Sequence, residues 1–213
     1  MHTAVTIIDY GIGNLRSVIS AFDHLNIEVS LASKPSEVLN ANRLILPGVG
    51  AFGDAAKELR SKDLNKVIIE FINDKKPFLG ICVGMQLMLS ASEEFGSHAG
   101  LDIISGNVTR IPTTPLIEGP HKVPHVGWNA LSISKQKNIN YEFFKGIDDG
   151  DSTYFVHSYM GIPTDEANVL AGVDYNGYRI PAVIGRNDCF GCQFHPEKSG
   201  PVGLQFLKNF ASL

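Results

Sequence analysis

The sequence has few cysteines, no long apolar run and no excess of basic residues, and each shortage disfavours a class of protein. Three cysteines in 213 residues do not build a disulfide framework, so we expect a reducing compartment, the cytoplasm. No run approaches the roughly 18 apolar residues of a membrane span, and we expect no signal peptide. A net charge of −4 gives no reason to expect nucleic acid as a partner.

The first half of the chain alternates between strand-like and helix-like segments. A continuous apolar run predicts a buried strand at 4–9, and further strands are predicted at 27–32 and 76–81. The segment RLILPGVGAF, residues 43–52, predicts a strand that runs into a Pro/Gly loop. Apolar residues at helical spacing predict helices at 14–25, 54–60, 65–73 and 83–94. This alternation predicts a parallel sheet with helices on both faces.

Strand-like runs separated by turn residues replace the alternation after about residue 105. These runs are GNVTRI, KVPHVGW, STYFVHSYM, VLAGVDY, RIPAVIGR and CFGCQF, and a last helix is predicted at 203–213. We expect them to form an antiparallel or mixed extension packed on the same core. No linker-like stretch divides the chain, so we predict one α/β domain over residues 1–213. The segment 132–152 carries no motif that we can use.

The segment FLGICVGMQLML, residues 78–89, places Cys82 where a predicted strand gives way to a predicted helix. Gly80 and Gly84 lie two positions on either side, as expected where a nucleophile sits on a strained, crowded turn. The N–H of Val83 can then point at the oxyanion that forms when the sulfur attacks a carbonyl. A buried cysteine between turn glycines is the alternative, and the strand-to-helix context favours the nucleophile.

The best candidate for a base is His195, in the segment QFHPEKS. Residues two apart on an extended segment project to the same side, so Glu197 can hold the imidazole ring. Cys82, His195 and Glu197 would then act as nucleophile, base and orienting group. The alternative is a surface ion pair. Three rival histidines lack a carboxylate two residues away: His121, His125 and His157.

Two other motifs carry weaker signals. CFGC, residues 189–192, resembles a redox or zinc pair, but it lacks a second pair and lies on a predicted strand. We therefore interpret both cysteines as core residues. GIGNLR, residues 11–16, begins like a dinucleotide-binding loop, but Arg16 stands where the third glycine belongs, so we interpret it as a turn and helix cap.

Together the motifs resemble those of the class I glutamine amidotransferases. That family has Gly-x-Cys-x-Gly-(His/Met)-Gln at its nucleophile and His-Pro-Glu at its base, which match GICVGMQ and FHPE here. One branch of the family, which serves the cyclase of histidine biosynthesis, is also similar at DYGIGNL, LPGVGAF, VPHVGWN, YFVHSY and FHPEKS. The resemblance spans nearly the whole chain. It implies a flavodoxin-like, mostly parallel central sheet with the mixed extension in the C-terminal half.

The resemblance implies that Cys82 attacks the side-chain amide of L-glutamine and that His195 passes the thiol proton to departing ammonia. Water then hydrolyses the thioester to glutamate. A second oxyanion N–H would come from the PGVG loop near Val49 or Gly50. No cofactor and no metal are expected. The resemblance also implies three contacts to the glutamine head group: Gln86, Ser158 and Tyr159.

The resemblance further implies a partner that uses the ammonia. This partner is a (β/α)₈-barrel cyclase subunit, which would form a heterodimer with this chain and receive ammonia through the barrel. Four residues of this chain are expected to face the barrel: Asn14, Trp128, Tyr154 and Lys198. Ordinary core packing is the alternative for Trp128.

Three other functions are left open. An amidotransferase for anthranilate, aminodeoxychorismate or pyridoxal phosphate synthesis would share the fold, but Met85, VPHVGWN and Lys198 disfavour it. A catalytically silent binding module would not need Cys82, His195 and Glu197 together. A cysteine-dependent α/β hydrolase acting on esters usually has its acid before its histidine, whereas Glu197 follows His195 here.

Overall fold

The computed structural model of the chain describes residues 4–118, 121–135 and 142–213. Six of the residues outside this description, 136–141, belong to the motif-free segment 132–152. The described strands are β1 (Ala4–Ile8), β2 (Glu28–Ala32), β3 (Leu44–Gly48), β4 (Phe78–Cys82), β5 (Ala91–Ser92), β6 (His98–Ala99), β7 (Gly106–Arg110), β8 (His125–Ala130), β9 (Ser132–Ile133), β10 (Ser152–His157), β11 (Tyr159–Pro163), β12 (Val169–Tyr175), β13 (Tyr178–Arg186) and β14 (Cys189–Cys192).

The main sheet has the strand order β2-β1-β3-β4-β14-β13-β12-β9. The first five strands in this order run parallel, and the last three continue the sheet with antiparallel pairing. Parallel neighbours need crossover connections, which the helices between β1 and β4 supply. The predicted α/β fold, a mostly parallel sheet with a mixed extension, is therefore confirmed.

The α-helices of the described segments are α1 (Leu15–His24), α2 (Pro35–Leu39), α3 (Phe52–Ser61), α4 (Leu64–Asn73), α5 (Val83–Leu87) and α6 (Gly200–Ser212). Helix α1 packs with α6, whereas α4 packs with both α2 and α3. Each longer helix buries apolar residues on the side facing the sheet, for example Val18 and Phe22 of α1. Helix α2 was not predicted, because five residues are too few to show a helical period.

The predicted helix over 83–94 is wrong beyond Leu87. Helix α5 ends there, and the chain turns into β5. The backbone N–H groups of Leu101 and Ile103 bond to the carbonyls of Leu87 and Met88 at 2.8 Å each. These carbonyls are therefore satisfied by a distant segment, which an apolar period in the local sequence cannot reveal.

The predicted single strand STYFVHSYM is two strands that belong to different small sheets. Strand β10 pairs with β8, and β11 pairs with β7 in a sheet of order β11-β7-β5-β6. The break falls at Ser158, whose carbonyl accepts a hydrogen bond from the N–H of Ile111 at 2.9 Å. The alternating pattern continues through the break, so the sequence gives no sign that the pairing partner changes.

The buried apolar side chains of the described residues form one cluster that reaches from the main sheet into the small sheets. Phe143, Phe190 and Phe206 stack within it, and Phe155 and Phe194 connect it to β10. None of the described helices has the length and apolar character that crossing a bilayer requires.

Candidate active site

Cys82 lies at a sharp corner where β4 ends and α5 begins. Its backbone has φ 54° and ψ −109°, a conformation that residues with a side chain rarely adopt. Such strain persists only where surrounding packing enforces it, and it is common at functional sites.

The glycines around Cys82 are required by close backbone packing. A Cβ atom on Gly84 would lie 1.8 Å from the carbonyl oxygen of Leu46, and one on Gly80 would lie 2.6 Å from the carbonyl oxygen of Gly84. Both distances are far below contact, so neither position accepts a side chain without moving the backbone. The predicted reason for glycine on both sides of the cysteine is confirmed.

His195 and Glu197 form a buried pair. His195 Nδ1 lies 2.8 Å from Glu197 Oε1, and the two side chains are only 4% and 1% exposed. The predicted pairing is confirmed and the alternative of a surface ion pair is wrong, but the predicted extended backbone ends at His195. Pro196–Lys198 is a 3₁₀ turn, since Pro196 has the φ of a first helical position.

Two opposing effects act on the imidazole of His195. Burial disfavours its charged form, but the interactions with Cys82 and Glu197 outweigh burial and raise the pKa of His195 to about 10. Nδ1 is bound to Glu197, so Nε2 is the nitrogen left to exchange a proton with the thiol of Cys82. His195 can therefore hold a proton at neutral pH and deliver it to a leaving group.

The backbone of His195 is held from both sides. Its N–H donates to the carbonyl of Tyr154 at 3.0 Å, and its carbonyl accepts from the hydroxyl of Ser199 at 2.7 Å. The Ser199 hydroxyl also accepts from the N–H of Tyr154 at 2.9 Å. Sequence reasoning did not find Ser199, because its role depends on β10, which lies more than 40 residues earlier.

A cleft of about 330 Å³ opens beside Cys82, a volume near the lower end for small-molecule sites. Its lining residues are Val49, Gly50, Cys82, Val83, Gln86, Glu94, Pro124, Val156, His157, Ser158, Tyr159, His195 and Lys198. The cleft thus brings together the predicted nucleophile, base, oxyanion loop and head-group contacts. Lys198 is at the same cleft, whereas Asn14, Trp128 and Tyr154 do not line it.

Glu94 is a cleft residue that sequence reasoning missed, because the predicted helix ran through it. Its Oε2 accepts a hydrogen bond from the N–H of Phe52 at 2.7 Å. This bond leaves other lone pairs of the carboxylate free to meet a positively charged group in the cleft. The described residues include no cluster of His, Cys, Asp and Glu suited to a metal ion.

Gln86 is 3% exposed and is held by its amide group. Its Nε2 donates to the carbonyl of Tyr159 at 3.0 Å and to Oε1 of Gln193 at 3.1 Å. An amide has two N–H donors, so both are used. Only Oε1 of Gln86 is left to contact a ligand, which narrows the predicted head-group role of this residue to that of an acceptor.

Two rival histidines form a buried pair beside the cleft. His157 Nδ1 lies 2.8 Å from the carbonyl of Tyr159, and His157 Nε2 lies 3.0 Å from His125 Nδ1. The carbonyl can only accept, so His157 donates from Nδ1 and His125 donates to His157. Burial lowers the pKa of His125 to about 4 and that of His157 to about 3.

Neither member of this pair suits the role of base, because both nitrogens of His157 are occupied and His125 stacks between Phe155 and Tyr175. The third rival, His121, bonds to the carbonyl of Pro112 and lines no part of the cleft.

The cysteines of CFGC are buried in β14, as predicted. Burial raises the pKa of Cys189 to about 12, and burial also raises the pKa of Cys192. Both thiols stay neutral at physiological pH and are poor nucleophiles, which leaves Cys82 as the candidate nucleophile.

An exposed apolar face lies beside the cleft on β8 and β10. Trp128 is 55% exposed and packs edge-on against Tyr154 at a ring-centroid distance of 5.9 Å. The alternative of core packing for Trp128 is therefore wrong. Val126 and Val156 are exposed on the same strand pair. Asn14 occupies the position before α1 without a capping bond from its side chain.

Comparison with known proteins gives one family over almost the whole chain. The family model "Glutamine amidotransferase class-I" matches residues 6–212. The chain is 47% identical over 212 residues to imidazole glycerol phosphate synthase subunit HisH 1 of Legionella pneumophila, covering 99% of this chain and 100% of that protein. It is 44% identical over 210 residues to subunit HisH of Syntrophotalea carbinolica, covering 98% and 100%.

Solved structures share the fold at lower identity. A structure of PurLQS from Thermotoga maritima superposes with a TM-score of 0.74 at 20% identity, covering 100% of this chain and 99% of that one. A structure of a glutamine amidotransferase gives a TM-score of 0.72 at 18% identity, covering 98% and 99%. At such identities the likeness concerns the fold alone.

Substitution Gly84→Ala tests the crowding at the corner. We expect it to lower the free energy of unfolding by at least about 3 kcal/mol, because the added methyl meets the backbone carbonyl of Leu46. Urea denaturation measures the change. Gly53→Ala is the matched control, since its Cβ would meet only the end of the His98 side chain, and it should cost little. Equal stability of the two variants would contradict the packing argument.

Substitution His125→Gln tests the neutral histidine pair. Both pKa values are lowered, so between pH 6.5 and about 4 the unfolded chain binds protons that the folded chain does not. The free energy of unfolding should therefore fall as the pH drops through this window. His125→Gln should reduce this slope by about 1.4 kcal/mol per pH unit. His125→Phe should reduce the slope equally, and identical slopes in variants and wild type would contradict the assignment.

Proposed function

The chain belongs to the class I glutamine amidotransferases, and from this we propose that it is the glutaminase subunit of an imidazole glycerol phosphate synthase. The proposal rests mainly on one arrangement of side chains. Cys82, in its strained backbone conformation, lines the same cleft as His195, and the imidazole of His195 is paired with Glu197. A silent binding module would not need this arrangement. The names of the full-length relatives favour this synthase over one for anthranilate, aminodeoxychorismate or pyridoxal phosphate.

The cleft suits a small zwitterionic amide. The carboxylate of Glu94 complements the α-ammonium group of L-glutamine, and the wall at Ser158 and Tyr159 receives the α-carboxylate. Oxygen Oε1 of Gln86 is an acceptor for one of the remaining N–H groups of the substrate. These contacts would bring the side-chain amide carbon to Cys82, at the inner end of the cleft.

The reaction proceeds through a thioester. The sulfur of Cys82 forms a bond to the amide carbon, and the oxyanion is received by the N–H of Val83 and by one from the loop at Val49 and Gly50. His195 takes the thiol proton and transfers it to the nitrogen as the C–N bond breaks and ammonia leaves. The interaction with Glu197 favours the protonated imidazole, which holds the proton until the nitrogen accepts it. Water, activated by His195, then hydrolyses the thioester to glutamate and regenerates the thiol.

The ammonia is used by a partner, which we propose is a (β/α)₈-barrel cyclase subunit. The apolar face of Trp128 and Val156 adjoins the mouth of the cleft and suits a docking surface, with Lys198 at the rim and Asn14 as a further contact. Ammonia would enter the barrel and react with ribulosyl-formimino aminoimidazole carboxamide ribonucleotide. The products are imidazole glycerol phosphate and the aminoimidazole carboxamide ribonucleotide, and we place the reaction in the cytoplasm.

Docking can control the reaction through two connections. Tyr154 packs against the exposed Trp128 and bonds through its backbone to His195. Gly50 has φ +82°, a conformation that glycine adopts without strain, and we propose that the peptide before it turns when the partner docks. A partner that binds one loop conformation more tightly shifts the population, at about 1.4 kcal/mol for each factor of ten.

The proposed function is tested by glutamate release from the chain alone, with a barrel cyclase subunit, and with that subunit plus the ribonucleotide. We expect the last mixture to be faster than the chain alone by at least roughly 10²-fold, the effect of one oxyanion donor. Cys82→Ala should lower the rate of glutamine-dependent synthesis by at least roughly 10³-fold. It should leave synthesis from added ammonia intact, because ammonia bypasses this chain.

Equal glutamate release in all three mixtures would show a self-sufficient hydrolase and contradict the coupling. An active Cys82→Ala complex would contradict the thioester. Glu197→Gln is a control of intermediate severity for the loss of activity. It should slow the reaction less than Cys82→Ala does, because the nucleophile and base are still present.

A further inference from the structure

Gln193 is a buried polar residue that the proposed reaction does not use. It lies directly after β14, is fully buried, and has its Nε2 3.8 Å from the sulfur of Cys82. A buried amide in an apolar core costs free energy unless its groups are satisfied. Its position beside the nucleophile therefore needs an explanation.

The hydrogen bonds around Gln193 determine which way its amide points. The carbonyl of Tyr159 can only accept, so Nε2 of Gln86 must face it. The second N–H of Gln86 then donates to Gln193, which makes the nearer atom of Gln193 its Oε1. The NH₂ group of Gln193 is thereby directed at Cys82. The carbonyl of Tyr159 therefore determines the orientation of the Gln86 amide, and Gln86 in turn determines the orientation of the Gln193 amide relative to the sulfur.

We propose that Gln193 is a positioning residue that holds the sulfur of Cys82 and donates a hydrogen bond to it when it attacks. A hydrogen bond to a charged acceptor is stronger than one between neutral groups, so the contact strengthens as negative charge develops on sulfur. Being neutral, the amide does this without competing with His195 for the proton. It also connects the sulfur to Gln86 in the wall of the cleft.

The role can be tested without turnover, through alkylation of Cys82 by iodoacetamide. Cys82→Ala gives the background from the two buried cysteines. Gln193→Met keeps the size of the side chain and removes the donor to Cys82, together with the acceptor for Gln86. Gln86→Met, alkylated in parallel, shows the effect of losing the bond between the two amides alone. Thr153→Val is the matched control, since it also replaces a buried polar group, on β10 outside the cleft, and that hydroxyl has no hydrogen-bond partner in the described structure. Thermal unfolding of each variant checks that it is folded.

The alkylation rate is measured from acidic to basic pH. In the pH range over which the alkylation rate increases with pH, the rate of Gln193→Met should be about tenfold lower than that of wild type. This is the effect expected from losing a hydrogen bond to a charged group. The titratable groups around the sulfur are unchanged in this variant: His195, Tyr10 and His157, with Glu197 behind His195. Thr153→Val should match wild type.

Steady-state kinetics of glutamine hydrolysis, a test that rests on the proposed function, distinguish a residue that positions the sulfur from one that binds the substrate. In the complex with the barrel subunit, Gln193→Met should lower kcat by about tenfold and change KM by less than about twofold. Gln86→Met should chiefly raise KM, because that residue lines the cleft. If Gln193→Met does not fold, Gln193→Asn replaces it, since it keeps an amide that is one methylene too short to reach the sulfur.

Alkylation at the wild-type rate throughout the pH range in a folded Gln193 variant would overturn the proposal. An effect on KM alone would also overturn it, because Gln193 would then support only the cleft wall. The alkylation result does not depend on glutamine hydrolysis. A slower alkylation with no glutaminase activity in any protein would therefore reject the proposed function and retain the role of Gln193.

Discussion

The close packing of one backbone turn against a neighbouring strand is the constraint on which the rest of the site depends. Gly84 lies so near the carbonyl of Leu46 that no side chain fits between them. The first turn of α5 is therefore held against β3, and Cys82 takes a φ of 54° to connect it with β4. Burial of the surrounding apolar core supplies the free energy that maintains this strained conformation.

The remaining groups reach Cys82 because neighbouring parallel strands end at the same edge of the sheet. Strands β3, β4 and β14 are adjacent, with Gly48 paired to Cys82 and Cys192 paired to Ile81. The PGVG loop follows the first of these strands, Cys82 ends the second, and His195 follows the third. Ligands of open α/β sheets bind at such an edge. The small sheets supply the opposite wall, at Val156, His157, Ser158 and Tyr159, and β8 and β10 carry the exposed apolar face.

Local patterns predicted the crowded turn at Cys82 and the pairing of His195 with Glu197 because each depends on residues close together in the chain. The glycines two positions from Cys82 and the two-residue spacing of His195 and Glu197 are examples. Features that depend on distant partners were missed. Residues 101–104 bond to the carbonyls of Leu87, Met88 and Leu89 where the predicted helix would have continued. The incorrect prediction of a helix through Glu94 concealed that residue's place in the cleft. Gln193 looked like part of an apolar strand, since its partner Cys82 lies 111 residues away.

The central claim is that Cys82, and no other thiol, attacks the side-chain carbon of glutamine in this cleft. Its most direct measurement uses a glutamine analogue in which a chloromethyl ketone replaces the amide, followed by peptide mapping and an assay of residual activity. We predict one label per chain, on Cys82, with loss of glutaminase activity in proportion and protection by L-glutamine. Labelling of Cys189 or Cys192, or a fully labelled Cys82 in an enzyme that still hydrolyses glutamine, would contradict the account.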